Sequence, residues 1–387
     1  MKKKVAIVSC RSLNYRGPND LGMWQDEATY IVSKQALDAV GLKREDLDAV
    51  SISTMDAFDG ITISNGLLVP AAGAYDKDSV RIENSGLYGI MSGVTSILSG
   101  CADLVMVASA DTVATDMGLV TNSMQDTIFR GPIGFNAVQS YGLLAMDYMR
   151  KNRIGEKEIA SVAVKSYEYG AKNPFAPIEH AYSEEEILSS PYICWPLRSL
   201  EIGNLSSGAA ACILASEEKA KELSGDPIWI SGIGLARDKY YGSWDELSGM
   251  KALTEAAKKA YRMAGIKDPK EEIDLMEICN PFSVFELIAY ETLGLCRRGM
   301  AASLLRDGIT SVGGDIPVNL SGGTLSVNPP NSGGLFRTVQ AVMQLRNEYK
   351  EIEIANAHRA LVHDSDMMCC AVGGVSHAVM ILEKGGK

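Results

Sequence analysis

The segment ALDAVGLKREDLDAVSIS, residues 36–53, recurs in pattern as AYRMAGIKDPKEEIDLMEIC at 260–279. In both copies a helical stretch ends at a glycine, a charged connection with the look of a helix start follows, and an apolar strand closes the unit. A chain that carries this unit twice folds as two similar halves. Each half opens on a short apolar strand, VAIVSC from Val5 and PIWISGIGLA around Ile228. Each later carries a Gly-rich strand, turn and helix, IENSGLYGIMSGVTSILSG in the first and NLSGGTLSVNPPNSGGLFRTVQAVMQLR in the second. A further strand follows, ADLVMVASAD or RALVHDSD. This alternation predicts mostly parallel sheets covered by helices. The halves divide as 1–227 and 228–387, and the first contains a loop-rich insertion around 115–200 that is richer in Met, Tyr, Asn and Pro and weaker in periodicity. Within it, GPIGFNAVQSYGLLAMDYMRKNRIG predicts a helix with one apolar face, and EKEIASVAVKSYEYGAKNP the start of the next.

The 387 residues, 46% hydrophobic and 22% charged, suffice for two such units. A formal net charge of -11, with no basic run to offset it, works against binding to nucleic acid or to an anionic membrane surface. The opening MKKKVAIVSCR has the basic start of a secretory signal, but its apolar stretch is interrupted within a few residues, and nothing elsewhere approaches a membrane span. A cytoplasmic protein is expected. The eight cysteines lack C-x-x-C spacing and the four histidines form no H-E-x-x-H, so neither a disulfide framework nor a metal site is expected.

The stretch VRIENSGLYGIMSG, residues 80–93, is a short strand running through a tight turn into a helix. Unpaired N–H groups and the dipole at such a helix start activate a thiolate and hold an oxyanion, which makes the turn a mounting point for a nucleophile. This turn offers Glu83, Asn84 and Ser85, and no cysteine.

Four further stretches occur in order: EYGAKNPFAP, SSPYICWPLRSLEIGNLSSGAAACILASEEKA, MEICNPFSVFELIAYETLGLC and VNLSGGTLSVNPPNSGGL. With them the chain resembles, over nearly its whole length, the thiolase superfamily, in particular its sterol-carrier-protein-X and lipid-transfer-type branch. The resemblance implies an α/β protein with the thiolase-like five-layer αβαβα fold from two similar halves, assembled as a homodimer or a dimer of dimers. It also implies a tunnel for the pantetheine arm of coenzyme A, with coenzyme A as substrate and no covalently bound cofactor. The implied chemistry makes or breaks a carbon–carbon bond beside a thioester. The family's nucleophilic Cys stands two residues before the Ser-Gly of the turn, where this chain has Glu83. The motif His-Asp-x-Phe or Asn-Glu-x-Phe of the oxyanion site is matched by Cys279, Asn280, Pro281 and Phe282. Gly-His-Pro is matched, one residue shorter, by Val327, Asn328 and Pro329, and the final Cys with its Gly run by Cys370 ahead of Gly373 and Gly374.

On this mapping Glu83, Cys279, Asn328 and Cys370 are the catalytic residues, and Asn84, Ser85, Asn280, Phe282, Gly323 and Gly374 contact the substrate. Each catalytic position also has a plainer reading. Glu83 favours a helix dipole or caps a turn, Cys279 is a packed thiol, Asn328 closes a turn with two prolines, and at most one of the adjacent Cys369 and Cys370 faces a pocket. His363, Tyr88 and Tyr290 read as structural. If Glu83 moves protons, its partial burial at the helix start sets desolvation against the dipole.

Three functions are open. The first is acyl transfer with Cys370, or failing it Cys279, as replacement nucleophile. The second is retro-aldol cleavage of a β-hydroxyacyl-CoA, which needs a general base and a held enolate but no covalent nucleophile. The third is a non-catalytic scaffold subunit. Acyl transfer stands first because acyltransferases predominate in the family. The resemblance further implies a small OB-fold zinc-ribbon subunit as partner, and the Met-rich and Tyr-rich middle region suits a bulky or aromatic acyl group.

Overall fold

The computed structural model describes residues 4–17, 20–113, 116–238, 248–349, 356–366 and 375–385. The first half contributes β1 (Val5–Ser12), β2 (Ala49–Ser53), β3 (Asp78–Ile82), β4 (Leu104–Asp111), the short strands β5 (Tyr192–Cys194) and β6 (Leu197–Arg198), and β7 (Gly208–Ser216). The second contributes β8 (Ile228–Arg237), β9 (Leu275–Ile278), β10 (Arg359–Ser365) and β11 (Ser376–Lys384). Strands β5 and β6 pair by themselves, and the others form one sheet in the order β3-β2-β4-β7-β1-β8-β11-β10-β9. The two half-sheets join where β1 meets β8, through the residue pairs Ala6 with Trp229 and Ile7 with Ile228.

Read outward from that seam, the first half runs β1-β7-β4-β2-β3 and the second β8-β11-β10-β9. The fifth position of the second half is held by a single parallel bridge from Met276 to Val318. The repeated sequence unit supplies β2 with the helix Gln25–Asp38 before it, and β9 with the helix Lys251–Ala264 before it. Gly41 and Gly265, at φ 69° and 77°, take the left-handed conformation that ends each copy.

The sheet is mixed, which corrects the expectation of mostly parallel strands. β2 runs parallel to β3 and β4, and β9 to β10. The pairs β1/β7, β1/β8, β4/β7, β8/β11 and β10/β11 are antiparallel. The chain between Ser365 and Ser376 is too short for a helical crossover, which takes a dozen or more residues, so β11 returns beside β10 in the opposite direction.

Because successive strand residues face opposite ways, burial sorts the strand side chains into three large apolar cores, and the molecule into five layers. Val8, Ile52, Met106 and Ile213 pack beneath Ala28, Val32 and Ala36 of the outer helix Gln25–Asp38. Ile7, Val107 and Leu214 face the other way, toward the central helices Gly86–Ser99 and Gly333–Leu345, which also receive Val362 and Met380 of the second half-sheet. That half-sheet turns Ile278, Leu361 and Val379 outward beneath Lys251–Ala264 and Ser283–Thr292.

The 115–200 region is more regular than its composition predicts. Helices Ala137–Asn152 and Glu156–Gly170 bury Tyr141, Leu144, Ile159 and Val162 in the core of the second half. Asn136 starts the first of them by accepting a hydrogen bond from the Val138 amide. Among the described residues no helix is long and apolar enough to cross a membrane, and no three His, Cys, Asp or Glu side chains are grouped to hold a metal ion.

Candidate active site

The N-termini of the two central helices, one from each half, meet. The Gly86 N–H donates to the Asn331 carbonyl at 2.7 Å. Glycine is required for so close an approach: a Cβ on Gly86 would lie 2.7 Å from Leu335 Cγ and 2.8 Å from its amide nitrogen, and one on Gly334 would collide with the Leu87 amide and the Asp364 carboxylate. At this junction Asp364, near the end of β10, accepts from Ser85 Oγ and pairs with Arg337.

The polar chain continues inward. Arg337 donates to Thr324 Oγ1 at 3.0 Å, and Thr324 and Asn280 exchange bonds of 2.6 and 3.0 Å. Asn280 Nδ2 donates to Glu286 Oε2 at 2.7 Å. Glu286 also pairs with Lys165 Nζ at 2.5 Å and accepts from Tyr290 Oη at 2.5 Å and Asn319 Nδ2 at 2.8 Å. Every member of this network is buried. Charges persist in such a place because each is paired and hydrogen-bonded.

The residues singled out in the sequence fall on and around this junction. Ser85 and Asn280 are members of the network, and Asn84, half-buried, accepts from the Ser85 amide at 2.8 Å. Glu83 is exposed at the turn rather than partly buried as expected, because β3 is the edge strand and leaves that end of the turn uncovered. Gly323, at φ 62°, sits so close to Asn280 and Asn319 that a side chain would displace both amides. Phe282 stacks on Tyr141 at 4.2 Å and 14°. Cys279 is buried beside Ser365; burial pushes its thiol up to about 11, with Arg337 opposing and Asp364 adding to the rise. Cys370 and Gly374 lie outside the described residues.

Asn328 is buried and tied to the connector that follows the 115–200 region. Its Nδ2 donates to the Gly203 carbonyl at 2.7 Å and its amide to Ser206 Oγ at 3.1 Å. Gly203 in turn donates to Pro281, and Ile202 bridges Phe282, so this one connector links the Cys279–Phe282 motif to Asn328. Asn328→Ala leaves the Gly203 carbonyl without its donor and is expected to lower the unfolding free energy by about 1–3 kcal/mol in a denaturant titration. A cavity of about 580 Å³ opens next to the same connector, between Leu205, Ser206, Leu325 and the wall formed by Tyr167 and Tyr182.

The family description Thiolase C-terminal domain-like matches residues 236–384. An acetyl-CoA acetyltransferase of Methanothermobacter thermautotrophicus is 28% identical over 347 residues, covering 85% of this chain and 88% of that protein. Sterol carrier protein 2 of Gallus gallus is 32% identical over 234 residues, 58% of this chain and 42% of that protein. Residues 236–384 are thus similar to thiolase C-terminal domains, and nearly the whole chain is similar to an acetyl-CoA acetyltransferase. A solved structure described as an Ltp2-ChsH2(DUF35) aldolase superposes with a TM-score of 0.81 at 21% identity, covering 99% of this chain and 98% of that one, a likeness of fold.

The chain holds a second buried polar cluster, at the end of β4. Asp111, at the end of β4, accepts from the Asn331 and Ser332 amides at 2.7 and 2.9 Å, while Asn331 Nδ2 donates to Asp59 at 2.7 Å. Tyr15 Oη meets Ser332 Oγ at 2.5 Å. The cluster pins the second half's Asn331–Ser332 turn to the first half. Burial, with the Asp59 carboxyl alongside, pushes Asp111 up to about 8, and burial pushes Asp59 up to about 6. An acid raised in the folded state contributes stability that is complete below its unfolded pKa and is lost as pH rises through the folded value. Stability is therefore expected to fall between about pH 4 and pH 8, and Asp111→Asn to flatten that slope in melts taken across the range.

Sequence reasoning passed over Asp364, Arg337, Glu286 and Lys165. The usable signal was a charge inside an apolar helical run: Glu286 in SVFELIAY, Arg337 in GGLFRTVQAV. His363 is buried, its Nε2 3.1 Å from His377 Nδ1, and burial holds both imidazoles below their ordinary pKa. Tyr290 serves Glu286.

Proposed function

We propose that this chain acts on coenzyme A thioesters, making or breaking the carbon–carbon bond next to the thioester carbonyl. The observation that carries this reading is the meeting of two helix N-termini, one from each half, beside a turn that bears a free carboxyl group. Helix N-termini favour negative charge, and the charge that develops in this chemistry is the enolate oxygen of the thioester. The name of the acetyl-CoA acetyltransferase relative supports coenzyme A thioesters as the substrate class.

Of the two reactions within that class, retro-aldol cleavage has the better support from the described residues. Glu83 stands in the nucleophile's place, and Cys279, the described thiol at the junction, is held protonated at neutral pH by burial. In the cleavage a base takes the β-hydroxyl proton, the Cα–Cβ bond breaks, and its electrons pass to the thioester as an enolate. The β-carbon leaves as a carbonyl compound, and the enolate takes a proton at Cα. Glu83 is assigned as the base, and Asn328, whose Nδ2 carries a second N–H, as an enolate donor. The aldolase name of the structural neighbour is in keeping with this choice, and its DUF35 chain with a partner subunit here. Acyl transfer, the second reading, is supported by the acetyltransferase relative and rests on Cys370 as nucleophile.

Intact-protein mass spectrometry after incubation with acyl-CoAs and β-hydroxyacyl-CoAs separates the two. Cleavage predicts an unmodified chain and a released aldehyde or ketone; acyl transfer predicts an acyl adduct that disappears in Cys370→Ala. A folded chain that neither binds nor converts any coenzyme A thioester would leave the scaffold reading.

A further inference from the structure

Cys10 and Cys212 stand directly opposite one another on the antiparallel neighbours β1 and β7, in a register that runs unbroken from Ser9 to Ser12. The ladder fixes which kind of pair they make. Where it ends, the Leu13 amide donates to the Ala209 carbonyl at 2.9 Å, a bond that flanks Ser12 and Ala210 and leaves those two as a non-hydrogen-bonded pair. The two kinds alternate along an antiparallel ladder, so Cys10 and Cys212, two residues further in, are again a non-hydrogen-bonded pair. Such pairs set their Cα atoms about 4.5 Å apart with the side chains at closest approach, inside the roughly 4.4–6.8 Å that a disulfide spans.

Both side chains point into the core that receives the central helices, both are buried, and both thiols are free. Among the described cysteines no other two share a ladder position. A cation reaches the same strand. Arg346, at the end of helix Gly333–Leu345, donates from Nη2 to the Val8 carbonyl at 3.3 Å and to the Asp226 carbonyl at 3.0 Å, and its buried Nε has no hydrogen-bond partner among the described residues. The hydrogen bond from Cys212 lowers the Cys10 thiol; burial opposes it, Arg346 and Arg11 add to the lowering, and Glu348 works weakly against it. Cys212, as the donor of that bond, is raised. One sulfur is thus favoured as a thiolate while a second is held against it to resolve the oxidised form. By contrast, burial pushes Cys279 up to about 11 and Cys296 up to about 12.

We infer that Cys10 and Cys212 are a redox-active dithiol, a modification site at which hydrogen peroxide closes a cross-strand disulfide. Burial restricts the oxidant to a molecule small enough to enter through local openings of the core, which hydrogen peroxide is. The Cys10 sulfur attacks one peroxide oxygen, the O–O bond breaks, and the departing hydroxide leaves as water with the thiol proton, giving a sulfenic acid. The Cys212 sulfur then attacks the Cys10 sulfur, the S–O bond breaks, and this hydroxide takes the Cys212 proton as a second water. Two thiols are oxidised to one disulfide and one peroxide is reduced to two waters. The new bond lies along β1 between the seam with β8, at Ala6 and Ile7, and the contact of Tyr15 with Ser332, so it fixes to β7 the strand that joins the two halves.

Treatment of the folded full chain with hydrogen peroxide, followed by denaturation, alkylation of the remaining thiols and a non-reducing peptide map, tests this. The expected product is a cross-linked peptide joining Cys10 to Cys212, formed about tenfold or more faster than Cys279 is oxidised, and undone by dithiothreitol. Its formation is expected to raise the melting temperature by about 3 °C or more, since the bond closes a loop of about 200 residues. Cys10→Ser and Cys212→Ser are each expected to abolish both the cross-linked peptide and the rise. Should either variant fail to fold, the peptide map of the parent decides by itself. Recovery of Cys10 and Cys212 as alkylated thiols after the exposed Cys101 is fully oxidised overturns the inference. So does a cross-link that joins either of them to another cysteine, or a Cys10–Cys212 bond that lowers the melting temperature.

Discussion

Glu286→Ala is expected to lower the unfolding free energy by about 3–5 kcal/mol, the cost of leaving a buried charge without its partner. Glu286 is fully buried and receives Lys165, Tyr290, Asn280 and Asn319, so its loss leaves the Lys165 ammonium without a counter-charge and the Asn280 and Asn319 amides without their acceptor, while Tyr290 keeps Thr310. Lys165→Met, by contrast, keeps three donors on the carboxylate and replaces the cation with an apolar chain of similar length, so the expected loss is smaller. Denaturant midpoints of the two variants decide the matter. Equal and small shifts, under about 1 kcal/mol, would mean that water reaches the pair and that the network is not closed. Because Asn280 links Glu286 to Thr324 and Arg337, the variant is also expected to loosen the helix junction, read as faster hydrogen exchange at the start of helix Gly333–Leu345.

Glu83→Gln carries the largest expected effect on turnover. With the carboxyl as general base, the amide is expected to reduce kcat about 10²–10⁴-fold. Substrate affinity and melting temperature stay close to the parent, since the side chain is exposed and the exchange preserves its shape. Cys279→Ser is expected to be mild, because a thiol held at about 11 contributes no nucleophile at neutral pH. The acyl-transfer reading inverts the order: Cys370→Ala abolishes activity and Glu83→Gln is tolerated. Full activity in both Glu83→Gln and Cys370→Ala refutes both assignments.

Much of the architecture was legible before any coordinates. The repeated helix–connection–strand unit marked β2 and β9, and the Gly-rich turns marked the starts of the two central helices. Both signals are local, since strand and helix periods and left-handed glycines act within a few residues of chain. Strand direction was not legible, because it depends on which strand a returning segment finds beside it. The β10–β11 pair is antiparallel for want of crossover length, and the β1–β8 seam joins the halves by a contact no motif encodes.

At the site, Asn280 and Ser85 were readable from the motifs that carry them, and their partners were not. Ser85 meets Asp364 across 279 residues of chain, and Lys165 meets Tyr290 across 125. The sequence by itself determined the two-fold plan, the turns and the carboxyl group at position 83. Tertiary structure alone decided that Glu83 faces solvent, that the Cys279 thiol is held protonated and that Glu286 is held as the partner of a lysine. The physical reason is that a carboxyl or thiol is set by the charges, donors and water around it, and those come from segments far away in the chain.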